Sequence, residues 1–152
     1  MSEPDDVMTR IGQAVELGQR GERPAAWRLF AELHEQIGPD GDALHRVALA
    51  HAMADVQDDP REELAWDLRA LQAADAVTDE RAAPAGVAGP VAGLYPSLHL
   101  NLGEDYRKLG DLPAARRHVE LGQAAAPILG DDGYSRMIRG GLDRLAARLA
   151  ET

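Results

Sequence analysis

Apolar residues in this chain return every three or four positions in short runs, and each run stops at a glycine or a proline. A period near 3.6 collects them on one stripe of a helix, and each stripe must then be buried against another element. From Asp5 to Arg20 the stripe is Val7, Met8, Ile11, Ala14, Val15 and Leu17, ended by Gly21. A second helix follows at once. Pro24 suits its first turn, where the missing N–H would be unpaired anyway, and Ala26, Trp27, Phe30, Leu33 and Ile37 lead to the break at Gly38-Pro39-Asp40-Gly41. Two helices joined so tightly must lie antiparallel.

The pattern recurs along the chain. Asp42 to Val56 predicts a third helix with Leu44, Val47, Ala48, Leu49, Ala52 and Met53 over a wide apolar arc. Asp59 caps the fourth, Pro60 opens it, and Glu62 and Glu63 place negative charge at the positive end of its dipole; Leu64, Ala65, Leu68 and Leu71 form its stripe to about Ala76. Residues 78–93, TDERAAPAGVAGPVAG, lose the period and read as a long connection. Helicity resumes near Pro96, breaks at Gly110, and resumes after Asp111 with Ala114, Ala115, Val119 and Leu121 to about Ala126. A seventh helix, 133–150, carries Met137, Ile138, Leu142, Leu145, Ala146 and Leu149 on one face. Alanine and leucine abound and aromatics make up only 4% of the chain, whereas a sheet core would be richer in valine, isoleucine and aromatics, so the expected fold class is all-α. With 152 residues, one domain is the expectation.

Helix pairs in series call for a test of self-similarity. His99, Leu102, Gly103 and Tyr106, followed by Gly110, Ala115, Val119 and Pro127, have the spacing of the tetratricopeptide (TPR) signature, with His99 and Val119 in place of its aromatics. Gly103 and Ala115 are small where two helices would cross, and Gly110 permits the turn. Residues 10–39 resemble the unit more weakly through Ala14, Leu17, Gly21, Ala26 and Phe30. Residues 44–77 fit only with about two extra turn residues at Asp58-Asp59-Pro60. The chain thus resembles a single TPR-like domain over 1–152: an α-solenoid of three antiparallel helix pairs, repeats about 5–39, 41–77 and 94–129, with the helix at 133–150 as its cap. An ordinary helical bundle is the competing architecture.

The resemblance implies a protein–protein interaction module that binds a peptide or partner protein along a concave face lined by the first helix of each pair. On that face would stand Met8, Ile11, Val15, Gly18 and Gln19; then Leu44, Val47, His51, Ala54 and Asp55; then Ser97, Leu100, Glu104, Arg107 and Lys108. His51, Asp55, Ser97, Leu100, Glu104, Arg107 and Lys108 are the expected partner-binding residues. The partner is an unidentified protein or peptide, or a second copy of the chain. The lysine and asparagine set with which chaperone-binding TPR domains clamp a terminal carboxylate is replaced by leucine, glutamate, valine and histidine, which disfavours that ligand.

A second reading is a small-molecule-binding or catalytic domain with a polar pocket around His51, Asp55 and His99, under residues 78–93. His51 and Asp55 share a helix face at i, i+4, and Ser97, Asn101, Asp105 and Arg107 lie on the helix of His99. Against catalysis, the five histidines form no HExxH set, and no phosphate loop or nucleophile elbow is present. Asp58-Asp59 and Asp131-Asp132 lack the alternating ligands of a calcium loop and suit helix caps instead. Trp27 and Trp66 suit packing. Without cysteine there is no thiolate site, and no cofactor or metal is expected. The net charge of -10 disfavours nucleic acid and anionic membranes. The polar N-terminus lacks a secretory pattern, and the chain reads as cytoplasmic.

Overall fold

The computed structural model describes residues 6–82 and 91–151, and every regular element among them is helical. The helices are α1 (Asp6–Gln19), α2 (Arg23–Ile37), α3 (Ala43–Asp55), α4 (Pro60–Ala74), α5 (Asp79–Ala82), α6 (Tyr95–Lys108), α7 (Leu112–Ala125) and α8 (Gly133–Ala150), with 3-10 turns at Val91–Leu94 and Ala126–Ile128. The additional helix, α5, falls inside the expected connection. There Thr78 Oγ1 accepts from Arg81 N at 3.2 Å, and Asp79 Oδ1 accepts from Val91 N at 2.7 Å, which ties the two ends of the connection together. Residues 83–90 of that connection lie outside the described residues.

Local chemistry sets the helix ends. Asp42, Asp59, Asp111 and Asp132 each precede a helix and accept a hydrogen bond from its first free N–H groups, at 2.9, 2.9, 3.2 and 2.7 Å. Asp59 and Asp132 are the second members of the two aspartate pairs. Gly21 and Gly110 turn the chain between helices at φ +82° and +81°, a region that side chains disfavour.

Consecutive helices pair as α1/α2, α3/α4 and α6/α7; α4 lies against α6, and α8 covers α6 and α7. Three apolar clusters follow this order. Ile11, Ala14, Phe30, Leu33 and Met53 join α1, α2 and α3. Leu44, Val47, Ala70, Ala73, Val77, Val91 and Leu98 join α3 and α4 to the connection and α6. Ala115, Val119, Leu145 and Leu149 join α7 to α8. Gly103 admits these neighbours closely, since a Cβ there would lie 3.0 Å from Leu145 Cδ2 and 3.3 Å from Val119 Cγ2.

Some expected faces are rotated. On α4 the buried residues are Asp67, Ala70, Ala73 and Ala74, while Leu68 is 39% exposed, so the stripe through Leu64 and Leu68 is not the one that packs. On α8 Ser135, Ile138, Leu142, Leu145 and Leu149 are buried along one face, but Met137 is 58% exposed, because it stands off that face, as Tyr134 does. Trp27, expected to pack, lies at the surface, whereas Trp66 touches both neighbouring clusters. Among the described residues no helix is long and apolar enough to cross a membrane.

Candidate functional site

Helices α1, α3, α6 and α8 together wall a cavity of about 200 Å³. Met8 comes from α1, Leu44, Val47 and His51 from α3, Ser97 and Leu98 from α6, and Tyr134 from the first turn of α8. Most of these side chains are apolar. Further along α6, towards its C-terminal half, a second cavity of about 370 Å³ opens against α8, lined by Leu100, Asn101, Glu104, Arg144 and Arg148. His51 of the first cavity and Asn101 of the second approach at 3.2 Å between Nδ1 and Nδ2, so the two cavities lie on either side of this contact. A third cleft, about 340 Å³, lies between α1 and α3, where Val15, Gly18, Gln19 and Asp55 meet.

Most residues expected on one face therefore do line open space, in three separate clefts. Ile11 and Ala54 do not, being buried in the helix packing. Arg107 and Lys108 take ion-pair roles at the edge. The Arg107 Nε donates to Glu104 at 3.2 and 3.1 Å, and this bond is the main cause that holds the Glu104 carboxyl below its ordinary pKa. Lys108 Nζ reaches across to Glu63 Oε1 on α4 at 2.6 Å.

Behind the His51–Asn101 contact sits a group that sequence reasoning missed. Asp67 on α4 and Asp105 on α6 are 3% and 2% exposed and hydrogen-bond to one another. Burial raises the pKa of both; for Asp105 the bond to Asp67 and the charges of Asp67 and Glu63 raise it further, while for Asp67 the bond to Asp105 opposes the shift. Asp55, nearby on α3, is raised by desolvation, with His51 opposing and Glu63 adding. The sequence pattern marks Asp105 only as a polar residue of its helix and does not single out Asp67. The readable signal was spacing, for Asp67 stands on the line of Ala70 and Ala74, and Asp105 on the line of Leu98 and Leu102.

His99 does not join His51 and Asp55. It faces α7, its Nδ1 lying 3.0 Å from His118 Nδ1, within a row of rings formed by Tyr95, His99, His118 and Tyr106. Tyr95 donates its hydroxyl to Asp75 Oδ1 at 2.5 Å; burial and this carboxylate push its pKa up to about 12. The imagined pocket of His51, Asp55 and His99 is thus two separate sites on opposite sides of α6. No set of three or more His, Asp or Glu side chains among the described residues is arranged to hold a metal ion.

Comparison with known proteins found no matching family model, no matching curated protein and no matching solved structure.

Proposed function

We propose that the chain is a TPR-like interaction module that binds an extended segment of a partner protein along the face formed by α1, α3, α6 and α8. The observation that carries this reading is the pair of cavities that the His51–Asn101 contact sets side by side, one apolar around Met8, Val47 and Tyr134, the next polar around Asn101, Glu104 and Arg148. Apolar anchors buried in such a groove supply affinity, and the polar end sets register. Helix pairs packed in chain order, with α8 closing the last pair, support the solenoid reading, as does the Leu102-Gly103-Tyr106 spacing. The module performs no chemical step in this reading, and its partner is a protein segment, with neither nucleic acid nor membrane involved.

The absence of cysteine makes the test clean. Ser97→Cys in the groove and Glu120→Cys on exposed α7 each give one attachment point for a photo-cross-linker. In a lysate, position 97 should yield a discrete protein adduct that position 120 does not, and Met8→Arg, at a half-buried position of the same cavity, added to the first variant should abolish it while the melting curve stays cooperative. Equal adducts from both positions, or none from folded bait, would overturn the reading.

A further inference from the structure

On the other side of α3, at the junction with α2 and α4, lies a cavity of about 260 Å³ whose chemistry differs from the groove. One wall is the indole of Trp66. His34 meets that ring edge-on, with centroids 5.4 Å apart and planes at 83°, and the Arg69 guanidinium lies 4.3 Å from its centroid. Ile37 and Leu49 complete the apolar lining, and Arg46 reaches in from α3, donating through Nε to the Gly41 carbonyl at 3.0 Å. No carboxylate lines this cavity, in a chain with 26 acidic and only 16 basic residues.

We propose that this cavity binds a small planar organic anion: one or two aromatic rings bearing a carboxylate or a comparable acid group. Arg46 and Arg69 have no ion-pair partner within 4.0 Å among the described residues, so two guanidiniums converge on one apolar cleft with their charge unmatched. A guanidinium stacked on an aromatic face keeps its N–H donors directed outward in its own plane, where they can grip an oxyanion beside the ring. The space suits such a ligand, because a cavity of about 150 Å³ already accepts benzene, leaving room here for a ring plus its acid group. The site is independent of the groove, from which α3 separates it.

The probe is 2-naphthoate, compared with 2-naphthamide, which has a similar shape and no charge. Binding is followed by NMR at the indole N–H of Trp66, with that of Trp27, which does not line the cavity, as internal control. The expected result is a saturable shift at Trp66 alone, with naphthamide at least about tenfold weaker, as loss of a charge-assisted hydrogen bond implies. Arg69→Gln, at an exposed position with no hydrogen bond to lose, should weaken naphthoate about tenfold and leave naphthamide unchanged, with the melting curve unaltered. Arg46→Lys, which keeps the charge but not the planar fork, should weaken naphthoate to a lesser degree. Absence of saturation at millimolar naphthoate, equal shifts at both tryptophans, or equal affinity for the amide would each overturn the proposal.

Discussion

The carboxyl of Asp105 meets that of Asp67 across the α4–α6 interface, both almost wholly out of water. Asp67 Oδ1 and Asp105 Oδ2 are buried with no hydrogen-bond partner, and two carboxyls can bond to one another only through a proton that one of them keeps. Folding above the ordinary aspartate value of 3.8 therefore takes up a proton. For a raised pKa the associated stability is complete below the ordinary value and is lost as pH rises through the folded one. The expected slope is about -1.4 kcal/mol per pH unit for one proton. Asp105→Asn retains a donor for Asp67 and removes that titration, so the variant should gain on the wild type as pH increases from about 5 to about 8. Urea denaturation at several pH values measures this; parallel curves would mean the pair does not titrate with folding.

The His99–His118 pair works in the opposite direction. Two Nδ1 atoms at 3.0 Å cannot both be donors, so at least one ring is neutral with a lone pair facing the other. Burial lowers both pKa values, opposed at His99 by Asp75 and reinforced at His118 by His99 and Arg117. A lowered folded value gives stability that is present above the ordinary 6.5 and lost as pH falls. Both rings should titrate below 6.5 in an NMR titration, and His118→Phe, which preserves stacking on Tyr106, should flatten the acid limb of the stability curve. Midpoints at or above the ordinary value would sink this account.

Glycines in the helices separate into those that packing needs and those it does not. A Cβ on Gly122 would lie 2.7 Å from Leu142 Cδ2 and 3.3 Å from His99 Cβ, in the seam where α8 meets α6 and α7. Gly122→Val should cost about 1–3 kcal/mol through overpacking. Gly12, exposed in the middle of α1, has nothing within 4 Å, so Gly12→Ala should gain about 0.5–1 kcal/mol from helix propensity and a less flexible unfolded chain. Chemical denaturation of both variants tests the pair, and a stable Gly122→Val would show that α8 can shift away.

Which features were legible follows from what decides each one. Caps and turns are local: Asp59, Asp111, Gly21 and Gly110 act within a few residues, and the structure places each where the pattern put it. The inward face of α4 is not local. Alanine fits either side of a helix, so a run with Leu64 and Leu68 on one stripe and Ala70, Ala73 and Ala74 on another is ambiguous until α6 lies against it. Asp67 was hidden by the same ambiguity, since an acid on an alanine stripe looks solvated until that stripe is the buried one. His99 illustrates the related problem on α6, which touches α4, α7 and α8, so residues only a few positions apart, such as His99 and Asn101, serve different neighbours.

Asp42 holds the start of α3 and the short helix α5 together. Its carboxylate accepts from Leu44 N at 2.9 Å and from Arg81 Nε at 2.5 Å, and Arg81 also meets His45 at 3.1 Å. Burial works against the charge, but the Arg81 bond and the Leu44 N–H overcome it and leave the pKa below the ordinary value. That contribution is therefore present above 3.8 and lost as pH falls through the lowered value. Two substitutions separate the roles. Asp42→Asn preserves a capping oxygen but gives up the ion pair, whereas Asp42→Ala gives up both, and its extra cost should be about 1 kcal/mol, the usual worth of an N-cap. Both variants should speed amide hydrogen exchange at Arg81, whose own N–H is held by Thr78, because α5 loses its ion pair with Asp42 at the start of α3. Unchanged exchange at Arg81 in Asp42→Ala would show that contacts other than Asp42, the Arg81–His45 and Asp79–Val91 contacts among them, fix this end of the connection.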